Sequence, residues 1–181
     1  MNLSSEKQKK QVVIDSSSAI LLFKADLFTK LLNLYDTSVT ESVYQELTKE
    51  GYAGSNEFVK FHQQNKFHIH PLIVNSKDKI PNQSTLEKLN LGERDTILYF
   101  LKGESDFIII DDGKGAKYCM KERLPFISAI LFPKILHIHG KINQATFQIK
   151  TDEIIQTGRY SQKIIDIAEK CSEQDLSPFF P

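Results

Sequence analysis

The sequence predicts an α/β fold: a mostly parallel central sheet flanked by helices, with a C-terminal helical extension. Three observations carry that prediction. The short apolar runs in "VVID" (12–15), "DFIII" (106–110) and "PFI" (125–127) have the length and branching of buried strands. Between them lie stretches with apolar residues at helical spacing, so strands alternate with helices, the order that produces parallel strands joined by crossovers. No internal repeat or low-complexity segment interrupts the alternation.

The elements follow in order. "VVI" is stopped by Asp15 and a serine run. "SAILLFKADLFTKLLNLY" (18–35) reads as two helical pieces. "TSVTESVYQELTKEG" (37–51) reads as a short strand, an N-cap at Thr40, a helix and a glycine stop. "EFVKFHQQN" (57–65) suits a short helix, and "KFHIHPLIV" (66–74) a strand interrupted at Pro71. "STLEKLNLGERDTILYFLKG" (84–103) holds two helices, the second opening at Gly92 and Glu93. "DGKGAKYCMKERL" (112–124) is a turn and a helix. Two or three helices follow from about 128 to 171. The expected organisation is a basic arm over 1–11, one domain over 12–172 and a tail over 173–181, ordered if its two phenylalanines dock.

Composition bounds the function. The 181 residues are 40% hydrophobic and 25% charged, as in ordinary globular domains. Lys plus Arg number 23 and Asp plus Glu 23, so global charge cannot hold nucleic acid; a local patch or bound cations would have to. No apolar run approaches the ~20 residues of a membrane span. Cys119 and Cys171 lack CxxC spacing, which argues against a zinc or disulfide framework, and a cytoplasmic location is the expectation.

The acids are the chemical signal. In a parallel sheet, residues just past each strand reach one common edge, where open α/β folds bind ligands. Asp15 ends the first strand, and Asp111 and Asp112 end "FIII". Glu46 sits beside the core-facing stripe of Val43 and Leu47 and can lean toward that edge. Glu93 opens a helix there, with Asp95 two residues on. Each acid alone is an ordinary turn former, cap or solvated residue. Several at one edge would repel unless a hard divalent cation, Mg²⁺ or Mn²⁺, joined them.

"VVIDSSSAILL", "SVTESVYQEL", "LGERDTILYF" and "IIIDDGKGAKYC", in this order and spacing, resemble the PIN-domain nucleases. The later "FISAILFPKILHIHGKI…IIQTGRYSQKII" resembles a branch often catalogued only as a domain of unknown function, similar to toxin ribonucleases of VapC type. The resemblance covers about 12 to 170. It implies a PIN-like fold and metal-dependent endoribonuclease activity through a two-metal route, leaving a 5′ phosphate and a 3′ hydroxyl. The family's acids fall on Asp15, Glu46, Glu93 (with Asp95 as competitor) and either Asp111 or Asp112. These serve as both metal ligands and catalytic groups. Ser16 or Ser17 matches the small hydroxyl residue after the first acid. Many relatives carry Arg after the double acid; here the nearby cations are Lys114 and Lys117, point charges without bidentate geometry.

Lys114, Lys117, Lys121 and Arg123 are the expected RNA-phosphate contacts. Expected partners are RNA, a small antitoxin protein and a second copy of the chain, with no membrane. Two other readings compete: a catalytically inactive PIN-like module that binds RNA or protein, and a response-regulator-like phosphoacceptor domain. The second wants an isolated Asp after a middle strand, whereas "HPLIV", taken as that strand, ends in Asn75. His68 and His70 lack a third zinc ligand at suitable spacing, and His137 and His139, two apart, would point apart on a helix. "DGKGAK" lacks phosphate-loop spacing.

Overall fold

A computed structural model describes residues 9–52, 54–72 and 80–181. Five strands form one sheet: β1 (Gln11–Ile14), β2 (Asp36–Thr40), β3 (His68–His70), β4 (Phe107–Ile109) and β5 (Phe126–Ile127). Their order is β3-β2-β1-β4-β5 and every pairing is parallel. The helices are α1 (Ser16–Lys24), α2 (Phe28–Leu34), α3 (Glu41–Leu47), α4 (Ser55–Gln63), α5 (Gln83–Leu86), α6 (Leu91–Leu101), α7 (Gly113–Glu122), α8 (Phe132–Ile138), α9 (Gln144–Gly158), α10 (Gln162–Lys170) and α11 (Glu173–Leu176). The expected α/β architecture is thus present.

Strand alternation divides the interior into two cores, because successive side chains point to opposite faces. Val12, Ile14, Phe107 and Ile109 face a larger core built with α1, α2, α4, α8 and α9. Val13, Ile108 and Ile110 face a smaller one with α5, α6 and α7. The central strands β1 and β4 are apolar on both sides, as a doubly covered sheet demands. Helix starts are capped locally: Asp15 accepts from the Ser18 N–H, Thr40 from the Val43 N–H, and Asp112 from the Lys114 N–H.

One expectation is corrected. The middle strand is β1, followed by Asp15, while the histidine-containing strand β3 lies at the sheet edge. It is described only over His68–His70; the expected extension to residue 74, and Asn75, lie outside the described residues. Asn75 therefore says nothing against a phosphoacceptor domain. Strand order does, since response regulators have β2-β1-β3-β4-β5.

The expected C-terminal tail is part of the fold. Helix α11 carries a capping box between Ser172 and Asp175. Leu176 is buried in the larger core, and the Phe179 ring packs edge-on against Phe107 at 5.3 Å. The Tyr35 hydroxyl donates to the Phe179 carbonyl at 2.6 Å. His137 stacks on Phe147 and His139 meets Phe180, so these two histidines do point apart.

Candidate metal centre and nucleic-acid interface

Register brings the first acids together. Ile14 pairs with Ile109, and the Asp15 N–H donates to the Ile109 carbonyl at 3.1 Å. Asp15 thereby leaves the sheet beside Ile110 and the Asp111–Asp112 pair. It is 1% exposed. One carboxylate oxygen accepts from the Ser18 N–H at 2.9 Å; the other, Oδ2, is buried without a partner.

Glu93 arrives from the first turn of α6, where a helix's positive end tolerates an acid. Its Oε1 accepts from the Asn90 side chain at 3.0 Å, while Oε2 is buried and unpartnered. Glu46 reaches the same place from α3. Its Oε2 accepts from the Ser16 hydroxyl at 2.5 Å. It can do so because residue 92 is glycine: a Cβ there would come within 3.0 Å of Oε2. The Gly92-Glu93 dipeptide supplies one acid and makes room for another.

These groups strain one another electrostatically. Burial, then the charges of Asp111 and Glu93, push the Asp15 carboxyl up to about 8 against the opposing pull of the Ser18 hydrogen bonds. Burial and the neighbouring Asp112 charge raise Glu93 to about 7. Without a cation the edge holds protons at neutral pH.

The two adjacent aspartates differ in surroundings. Asp112 caps α7, one oxygen accepting from the Lys114 N–H at 2.7 Å. Asp111 turns toward β5 and α9. Its Oδ1 accepts from the Ser128 and Tyr160 hydroxyls, and its Oδ2 from the Ala129 N–H at 2.9 Å. Sequence spacing points to neither Ser128 nor Tyr160 as a site residue. Asp95 is on the other side of α6: it pairs with Arg94 at 3.3 Å and lines a separate hollow with Leu72, Ile80 and Leu86. Two residues along a helix are about 200° apart, so it does not compete with Glu93.

Ser16 holds Glu46, whereas Ser17 lines an open cleft of about 410 Å³ with Lys24, Asp111, Asp112, Thr157 and Gly158. Lys114, Lys117 and Lys121 are exposed at helical spacing along one stripe of α7. Arg123 stands in a left-handed conformation just beyond its end.

Among the described residues, no three Asp, Glu, His or Cys side chains stand close enough to enclose one ion as they are placed. The donor set nonetheless fits a hard divalent cation. All its atoms are oxygens, two are buried without partners, and two carboxyls are driven toward protonation by burial and by the neighbouring acids.

The chain is an α/β protein with a parallel sheet and acids at its carboxyl edge, the end at which open α/β folds bind ligands. A family model described as a PIN domain matches residues 11–167, and the chain belongs to the PIN-domain family. PIN domains are generally nucleases and typically use divalent metals. No curated protein matches the chain. Among the described residues, no helix is long and apolar enough to cross a membrane.

Proposed function

We propose that the chain is a divalent-metal-dependent endoribonuclease, acting as the toxin of a toxin–antitoxin pair. The observation that carries the catalytic reading is the pair of buried, unpartnered carboxylate oxygens, Asp15 Oδ2 and Glu93 Oε2. Asp15, Glu46, Glu93 and one of Asp111 and Asp112 would hold Mg²⁺ or Mn²⁺. When bound, the ions supply Lewis acidity and charge neutralisation at the scissile phosphate.

The chain's own residues do the positioning. Ser16 keeps Glu46 turned to the edge. Capping bonds to Ser18 and Lys114 fix the rotamers of Asp15 and Asp112. The lysine stripe on α7 meets backbone phosphates on either side of the cleavage point, with RNA entering over a neutralised edge. Asp15 and Glu93, both held above the ordinary carboxylate range, would have to ionise to hold a cation.

The experiment is cleavage of a labelled single-stranded RNA with Mn²⁺ and with EDTA. Cleavage in Mn²⁺ alone, giving 5′ phosphate and 3′ hydroxyl ends, is the expected result. Ends carrying 2′,3′-cyclic phosphate would show attack by the ribose hydroxyl and contradict the reading. For the toxin role, induced expression should arrest growth, and Asp15→Asn should relieve the arrest.

A metal-free PIN-like binding module is the second reading. The spacing of the acids, with no three around one point among the described residues, favours it. Calorimetric titration with Mn²⁺ separates the two, because an inactive module has no need of the ion.

A further inference from the structure

We propose that the adjacent aspartates divide their work: Asp112 faces the cation, while Asp111 is the bracket to which Tyr160 and Ser128 fasten the C-terminal helices. This rests on the metal-centre reading for Asp112. It stands on packing alone for Asp111.

A carboxylate offers about four lone-pair positions. Asp111 has three donors already: two hydroxyls on Oδ1 and a backbone N–H on Oδ2. A cation would have to displace one of them or bind to an oxygen already shared. Asp112 has a single donor, the Lys114 N–H on Oδ1, and its charge acts on Glu93, whose Oε2 is free. Of the two unpartnered oxygens at the edge, Glu93 Oε2 belongs to the acid on which Asp112 acts, while Asp15 stands between Asp111 and Glu93; the satisfied oxygens are those of Asp111.

The seat for Tyr160 is built independently. It follows α9 through Arg159, held at a φ of 52°. A Cβ on Gly158 would collide with the Tyr160 ring, so the ring occupies space that only glycine leaves. Ser128 precedes a short 3₁₀ turn, Ala129–Leu131, and its hydroxyl also reaches that of Tyr160 at 3.4 Å. Asp111 thus joins the end of β4, the start of the α8 segment and the α9–α10 connection. The last turn of α9, just before that connection, contributes Thr157 and Gly158 to the cleft that Asp111 and Asp112 also line. Tyr160 is therefore a positioning residue, which sets one wall of the substrate cleft through Asp111.

The test measures metal-free melting temperature, Mn²⁺ affinity and RNA KM for Asp112→Asn, Asp111→Asn and Tyr160→Phe. Asp112→Asn is expected to weaken Mn²⁺ binding at least tenfold and leave the melting temperature within a degree or two. Asp111→Asn and Tyr160→Phe are expected to lower the melting temperature by several degrees and to keep Mn²⁺ affinity within about threefold. Tyr160→Phe should also raise KM for RNA more than it lowers kcat, which mere loosening of the fold would not do. Should Asp111→Asn fail to fold, Tyr160→Phe carries the comparison. Loss of Mn²⁺ binding in Tyr160→Phe, or equal loss in both aspartate variants without a melting change, overturns the division. If the wild-type protein binds no Mn²⁺, the metal-centre reading fails and Asp112's role with it. The melting data then judge the bracket alone.

Discussion

At the scale of the residue, Asp15 concentrates the opposing demands on the site. Its carboxyl titrates near 8 in the fold against 3.8 ordinarily. A raised acid favours folding in its protonated form. Below about pH 4 both folded and unfolded chains are protonated and nothing is lost. As pH rises toward 8, the unfolded chain ionises freely while the folded one does not, so stability falls across that window. Asp15→Asn removes the ionisation and keeps the cap, since asparagine caps helices as well as aspartate does. In EDTA, the variant should melt higher than wild type at pH 8, with the difference shrinking toward pH 5. A variant that melts lower at both pH values would make Asp15 a structural residue. Asp15, Glu46 and Glu93 were legible in the sequence because each sits at a position that strand and helix periodicity define. Asp95 could have been set aside on the same grounds, as two helical residues do not share a face. Tyr160 and Ser128 gave no such signal. Their bonds to Asp111 span 49 and 17 residues, and no spacing rule connects a tyrosine in a helix connection to the end of a distant strand.

At the scale of the element, close approach between helices decides whether the acids meet. Gly92 lets α3 and α6 come near enough for Glu46 to lie against the start of α6. Gly92→Ala adds a methyl 3.0 Å from Glu46 Oε2 and should turn that carboxylate away from Ser16. Alanine is the better helix former by roughly 0.5–1 kcal/mol, so melting temperature should hold while Mn²⁺ affinity drops several-fold. Unchanged affinity would show that Glu46 stands outside the metal centre. The stripe on α7 is the second element to test. Lys114→Ala with Lys117→Ala should flatten the salt dependence of RNA binding, by ~0.7 in log–log slope for each phosphate that the lysines no longer neutralise. Mn²⁺ affinity should be nearly unaffected. An unchanged slope would place the RNA path elsewhere. β1 and β4 were readable because buried parallel strands are short and apolar throughout. The limits of α9 were not, because its apolar residues are scattered around the helix and Ile154 alone is fully buried.

At the scale of the whole molecule, the sheet separates two jobs. Acids, cleft and lysine stripe gather at its carboxyl edge, while the last residues close the opposite edge. There Phe179 covers Phe107, Tyr35 holds the Phe179 carbonyl, and Lys10 donates to the Pro178 carbonyl at 2.6 Å. Leu176 is 1% exposed, and Leu176→Ala should cost about 2–5 kcal/mol in chemical denaturation. Mn²⁺ affinity should be untouched, since the proposed metal centre lies at the other end of the sheet. The sequence contained the tail's clues, a serine three residues before an acid and two phenylalanines. The partner surface that makes them fold comes from β4 and the end of α2, far away in the chain. The bond between Lys10 and Pro178 also means that the two ends of the described chain lie side by side, away from the acids. The backbone could be rejoined there by a few glycines and reopened at the exposed Gly140–Lys141 turn, yielding a rearranged polypeptide with the same acidic edge.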